Sequence, residues 1–274
     1  MNTKNFNWNF TTNFSKQQSI ITSVKGGAQI IVLSNAGSSN YILKAGEKVG
    51  QLYGNRLISS LDETNAKGDL YIPKADQALY TVASNGYVVS KATKIPFVTP
   101  EKVALGDPNP KFNMSFINEV AYKNFLQFAM QWDWVHKSHI YNQTRQWMYR
   151  DGIHSDYAKP LTVDGVTEAY ASFYRGVYAN VQANGTRNYF YEDASFVRLR
   201  NLSIAFDAAK FVKIGGFNRL QLVLTGRNLV TFTKYTGFDP EVSSGTSNSA
   251  FDRGVDHNTV PNLKTYQVGL NIGF

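Results

Sequence analysis

Lys264-Thr-Tyr-Gln-Val-Gly-Leu-Asn-Ile-Gly-Phe274 closes the chain and decides how the rest is read. Side chains alternate across an extended strand, so Tyr266, Val268, Leu270, Ile272 and Phe274 share one face. Thr265, Gln267, Gly269, Asn271 and Gly273 share the other. A strand of a soluble sandwich alternates too, so alternation by itself means only a half-buried strand. The length suits a tilted crossing of the ~25 Å apolar band of an outer-membrane barrel. The second face carries amides and glycines without charge, and the last residue is aromatic. Together these features favour a strand with lipid on one side and a polar lumen on the other.

The same pattern recurs upstream. Phe112, Met114, Phe116, Val120 and Tyr122 point one way, with Asn118 as the exception. Lys123-Asn124 reads as a two-residue hairpin turn. Beyond it Leu126, Phe128, Met130, Trp132 and Trp134 face the lipid side, opposite Gln127, Ala129, Gln131 and Asp133. Trp132 and Trp134 stand where an aromatic girdle meets the membrane interface. Leu220, Leu222 and Leu224 continue the lipid face, and Phe6, Trp8, Phe10 and Phe14 alternate with asparagines near Met1. In Ser195-Phe-Val-Arg-Leu-Arg-Asn-Leu-Ser-Ile-Ala-Phe206 the apolar phase shifts from odd to even positions. One extra residue near Arg200-Asn201 explains this, so a β-bulge is expected there.

Bulk properties agree. The 274 residues include 16 Tyr, 18 Phe and 4 Trp, only 18% are charged, and there is no cysteine. A disulfide framework is thereby excluded. No run of about 18 apolar residues exists, which excludes a transmembrane helix; the mean hydropathy of -0.30 is compatible with alternating strands. The net charge of +8 is spread over the chain without a basic run, so no nucleic-acid partner is inferred. Anionic head groups or a cationic lumen account for it.

Connections alternate in length, short after Phe14, Tyr122 and Phe206 and long after Trp134 and Leu229. Bacterial barrels have short periplasmic turns and long outer loops. Taking the terminal strand as descending, 219–229 ascends, 195–207 descends, 125–136 ascends and 111–122 descends. The strand at 3–14 is read as descending as well, so one or three further strands are expected within 18–60, about seven to nine in all. Residues 61–110, with five of the eight prolines, read as long loop. Residues 138–193 form a second excursion, with a short helix expected over 140–150.

Several strings resemble the SusC/RagA family of TonB-dependent outer-membrane transporters. They are Glu192-Asp-Ala-Ser-Phe-Val-Arg-Leu-Arg-Asn-Leu-Ser203, then Thr225-Gly-Arg-Asn-Leu-Val-Thr-Phe-Thr-Lys-Tyr-Thr-Gly-Phe-Asp-Pro-Glu241, and the terminal strand. Arg198, Asn201, Asn228, Tyr235, Gly237, Asp239, Pro240 and Glu241 carry the motif. Gly106-Asp-Pro-Asn-Pro-Lys-Phe112, Tyr122-Lys-Asn-Phe125, Tyr141-Asn-Gln-Thr144 and Gly46-Glu-Lys-Val-Gly-Gln-Leu-Tyr-Gly54 fit the same order across residues 1–274. The resemblance implies the carboxy-terminal part of an all-β antiparallel transmembrane barrel of about 22 strands. It implies import of glycan or peptide fragments beneath a SusD-like surface lipoprotein. TonB would act through an upstream part with the signal sequence and plug domain, which this chain does not show. Phe274 would be the terminal aromatic recognised by the assembly machinery. The 61–110 loop departs from the family in lacking an Asn-Gly-Asp-Gly type acidic motif, which puts a metal site there in doubt.

For substrate binding, Tyr141, Asn142, Trp147, Tyr149 and Arg150 offer aromatics with flanking hydrogen-bonding groups; loop packing is the plainer account. Tyr174, Tyr178, Tyr189 and Tyr191 read equally as outer girdle. His136 and His139 lack a third ligand for zinc. Asp239, Glu241, Asp252 and Asp256 share one loop, as calcium ligands or as solvated carboxylates. Asp239-Pro240-Glu241 reads as a turn with acids capping backbone donors. No nucleophile elbow, phosphate loop or His-Glu-x-x-His motif occurs, so no catalysis and no cofactor are expected. Two rival readings stay open: a small stand-alone barrel or adhesin, and a soluble β-rich binding module.

Overall fold

The computed structural model describes residues 3–27, 30–33, 40–179, 187–211, 216–243 and 253–274. Six long strands dominate: β1 (Phe6–Ser15), β2 (Phe112–Tyr122), β3 (Leu126–His136), β4 (Phe196–Asp207), β5 (Arg219–Thr233) and β6 (Thr265–Gly273). They form one antiparallel sheet in chain order, with β1 and β6 at its edges. The sheet does not close on itself.

Register explains the alternation. Trp8, Val120, Phe128, Ile204, Leu224 and Val268 lie in one cross-strand row over all six strands. Asn9, Glu119, Ala129, Ser203, Thr225 and Gln267 form the adjacent row on the opposite face. The apolar face is uncovered: Phe10 is 52% exposed, Leu224 46%, Val268 76% and Tyr266 75%. A soluble sandwich covers such a face with a second layer, whereas hydrocarbon leaves it bare. Asn118 points to this face beside Met130, and its side chain accepts a 3.3 Å hydrogen bond from the Trp8 indole. That bond lowers the cost of an amide in lipid.

The first hairpin differs from expectation by one residue. Lys123 and Asn124 turn the chain with φ of 46° and 57°, as a mirror-image turn requires. Phe125 is extra, so Tyr122 pairs with Leu126. The third loop residue keeps both apolar sets on one face; a two-residue loop would have flipped one of them. Phe125 packs on Tyr122, Phe206 and Phe211, with centroids 4.8–5.9 Å apart. Phe14, Phe112, Trp134 and the Trp132–Phe232 stack gather near the other end. The sheet therefore carries aromatics at both rims.

The expected bulge is present. Leu199 pairs with Trp132 and Asn201 with Gln131, leaving Arg200 unpaired against β3. Against β5 the register also shifts there, between Val230 and Arg227, where Asn228 adopts φ 53°.

The strand inventory in 18–60 needs correction. β1 pairs antiparallel with β2 directly, so it ascends and no intervening barrel strand is required. The barrel sheet has six strands among the described residues. Instead, Ile30–Leu33, Asn40–Leu43, Leu52–Gly54 and Val103–Gly106 form a small separate sheet. The connections 16–111, 137–195 and 234–264 all leave from the same end of the main sheet. They build a body with its own core, in which Leu57, Val89, Tyr141, Tyr149, Phe173, Val177, Phe190 and Val255 meet. Ile72 and Val88, inside the stretch read as long loop, form a smaller cluster with Ile58. Tyr174 is buried in the larger core, with Tyr178, Tyr189 and Tyr191 against it. These tyrosines pack loop on loop and form no girdle.

Candidate functional site

Where the outer body meets the sheet, two charged networks hold the long loops. On the polar face Arg198 is 2% exposed. Its guanidinium donates to Asp239 at 2.5 Å and Glu241 at 2.6 Å, and its Nε to Thr231 at 2.9 Å. Arg200, freed from the ladder by the bulge, donates to Asp133 at 2.7 Å and to both Glu241 oxygens at 2.9 Å. Asp239 also accepts from the backbone N–H groups of Glu241 and Asn262. Although burial alone would raise its pKa, these bonds and the Arg198 charge hold the Asp239 carboxyl below the usual range. Asp239 therefore caps backbone donors as expected, whereas Glu241 accepts from the side chains of Arg198, Arg200 and Asn262, and the arginine pairing clamps loop 234–263 onto the wall.

Family-motif residues explain the clamp's shape. Asn228 donates to the Leu263 carbonyl and accepts from Arg200. The Tyr235 hydroxyl donates to Asp256 at 2.6 Å. A Cβ at Gly237 would strike the Tyr235 ring, so only glycine fits there. Pro240 is buried. Asp256 also accepts from Thr144. The carboxylates considered for calcium are thus engaged by arginine, tyrosine or hydroxyl donors, and Asp252 lies outside the described residues. No group of three metal-ligating side chains occurs among the described residues. His136 packs on Phe112, while His139 accepts from the Asp107 backbone.

The second network is built on α1 (Gln143–Arg150), which follows a short strand, His139–Asn142. Asn142 caps the helix, accepting from the Arg145 backbone at 2.8 Å, and donates to Glu192 at 3.1 Å. Arg145 bridges Glu192 and Asp156, each at 3.2 Å. Burial would raise the Asp156 pKa, but hydrogen bonds from Lys159, Tyr149 and Arg145 outweigh it and bring the carboxyl to about 2.

Beside this network lies a cavity of about 450 Å³, lined by Asn142, Arg145, Met148, Asp156, Gly237 and Phe238, among others. Phe238 is 74% exposed. An exposed ring beside paired charges and amides can stack on a sugar or an apolar side chain while the polar groups orient it.

The five residues read as substrate-binding separate into two groups. Tyr141 and Tyr149 are buried in the outer core, at 0% and 1% exposure, and present no surface. Asn142 is buried as well, though it lines the cavity. Trp147 is half-buried, with its ring on His257 at 4.4 Å and the Arg150 guanidinium 4.9 Å above it. Helical geometry divides them: positions 143, 146 and 149 turn inward, so 147 and 150 turn out. Phe238 and Arg145 line the cavity but are not among those five residues. The aromatic side chain between Gly237 and Asp239 is the sequence signal for Phe238.

No protein-family model matches the chain. TonB-dependent receptor P3 of Formosa agariphila is 27% identical, over 99% of this chain and 27% of its own length. TonB-dependent receptor SusC of Bacteroides thetaiotaomicron is 23% identical, over 99% and 25%. The chain is a homologue of the SusC-type TonB-dependent receptors. The RagAB peptide importer in its closed-closed state shares the fold, with a TM-score of 0.59 and 19% identity over 100% of this chain and 28% of that one. Its open-open state gives a TM-score of 0.58. This SusC homologue spans about a quarter of the length of the curated relatives it matches. Its strands are barrel wall of the outer membrane, with Phe128, Met130, Trp132, Trp134, Leu220, Leu222, Leu224, Tyr266, Val268, Leu270 and Ile272 all on the single apolar face.

Proposed function

We propose that residues 1–274 form one portion of a barrel domain: the carboxy-terminal wall and outer loops of a SusC/RagA-type importer. The observation that carries this is a sheet with one uncovered apolar face and three long connections gathered at one end. The apolar face meets lipid, the polar face meets the lumen, and the loop body stands outside the cell. The arginine clamp makes the lumen-side rim rigid. Import is TonB-dependent, and TonB acts through a part other than these strands. A SusD-like lipoprotein closes over the loop body. The relatives' names as receptors and importers support transport in place of catalysis.

Phe238, with Asn142, Arg145 and Met148, forms the ligand-contacting wall in this reading, and Phe274 serves in assembly. The imported molecule is a glycan or peptide fragment; the RagAB likeness supports a peptide and the SusC likeness supports neither over the other. The test is uptake by a strain carrying the whole gene, with labelled oligosaccharides and peptides supplied separately. Growth or uptake unchanged on deletion of the gene refutes the importer reading. A product that stays folded and monomeric without detergent refutes the barrel.

A further inference from the structure

The end of the wall away from the loop body gathers cations and rings on its lipid side. Phe6, Tyr122, Leu126, Phe206, Leu222 and Leu270 form the last complete apolar row across the six strands. Just beyond it stand Lys4, Lys123, Lys210 and Arg219, all exposed. The acid in these turns, Asp207, is 8% exposed and is taken up by the backbone N–H groups of Ala209 and Leu220. Arg219 donates to Gln221, and the Phe274 carbonyl oxygen accepts from Asn218.

Local packing sets two of the lysines beside lipid-facing rings. The Lys123 ammonium lies 5.3 Å from the Tyr122 ring centroid. Its backbone N–H donates to the Asn5 carbonyl at 2.8 Å, which brings the Lys4 segment alongside. After β4 a single short turn, Ala208–Lys210, folds Phe211 back onto the wall. The Phe211 ring stacks on Phe206 with centroids 5.6 Å apart and meets Phe125 edge-on at 4.8 Å. It is still 60% exposed, and Lys210 precedes it directly. These rings carry the apolar face past the strand ends, to the depth where hydrocarbon gives way to head groups. Lysine stems lie along such a surface while their ammonium groups reach the polar layer.

We propose that this rim binds anionic phospholipid, with the phosphodiester held by Lys123 and Lys210 and the upper acyl chain lying on Tyr122, Phe125 and Phe211. The cluster is on the face that register gives to lipid, so a protein filling the lumen does not reach it. Among the described residues no carboxylate pairs with Lys4, Lys123 or Lys210. A phosphate therefore meets unanswered cations, whereas the amine of a zwitterionic head group finds no exposed acid, which favours a lipid of net negative charge. The site rests on the wall facing lipid and not on import.

Native mass spectrometry of the receptor made from the whole gene, given equimolar phosphatidylglycerol and phosphatidylethanolamine of matched acyl chains, tests this. Phosphatidylglycerol should be retained in excess. Lys123→Gln or Lys210→Gln should lower its retention about fivefold, and both together up to about 30-fold, with phosphatidylethanolamine unchanged. Lys123→Arg and Lys210→Arg keep the charge and should keep the lipid. Heat-modifiable migration reports folding, and should the double variant fail it, the single variants carry the test. No excess of phosphatidylglycerol, an excess unchanged in the folded Gln variants, or an equal loss of both lipids overturns the proposal. Any of these in a folded, heat-modifiable receptor leaves the barrel wall standing, whereas a product that stays folded without detergent overturns both.

Discussion

Placing arginine at Met130 and, separately, at Gln131 tests the orientation of the wall at a single depth. β3 has 11 residues, and at ~3.3 Å per residue with a tilt near 40° each step climbs ~2.5 Å. Its ten steps therefore span ~25 Å, the height of the apolar band. Gln131 is the fifth step from either end and Met130 the fourth from the lower one, so both lie near mid-bilayer on opposite faces. Met130 is flanked by Asn118 and Leu202 on the lipid side. Arginine there should cost ~2–4 kcal/mol, a shift of roughly 30- to 1,000-fold in the folding equilibrium. Gln131 donates to Asp133 at 2.8 Å on the polar side, where an added cation meets a carboxylate and water. The cost there should stay below ~1 kcal/mol. Urea titration of protein folded into phosphatidylcholine vesicles, followed by tryptophan fluorescence, measures both. Equal costs, or a larger one at Gln131, would refute the assignment of faces.

Other consequences are open to simpler measurements. Arg198→Met leaves Asp239 buried without its cation and should cost ~3–5 kcal/mol, seen as faster proteolysis of loop 234–263; adding Asp239→Asn should recover part of it. Gly237→Ala should loosen the Tyr235–Asp256 bond and expose the same loop to protease while leaving barrel migration on gels intact. Asp156 falls from 3.8 to about 2 on folding, which is worth about 2 kcal/mol. Because the folded value is the lower one, this stability is complete above about pH 4 and is lost as pH falls toward 2. An acid titration of the outer body should show it, and Asp156→Asn should abolish that slope. Phe238→Ala should weaken ligand binding without changing thermal stability, because the ring is mostly exposed.

Period-2 patterning was enough to find β2, β3, β4, β5 and β6, the face each presents, and the bulge at Arg200, because an interface between lipid and water reads every second residue. The motif around Asp239-Pro240-Glu241 was legible as a turn because Pro240 fixes the backbone and Asp239 caps the donor two residues away. Chain direction for β1 was not legible, since alternation has no sense of up or down and only pairing with β2 supplies one. Nor was the outer body. Its core joins Leu57 to Tyr141, Phe173 and Val255 across long separations, with no local period, so its residues read as loop. The same non-locality buried Tyr141 and Tyr149 and left Phe238 exposed over a cavity. What alternation along a strand can encode, the sequence determined alone; which loop atoms meet was decided by tertiary packing.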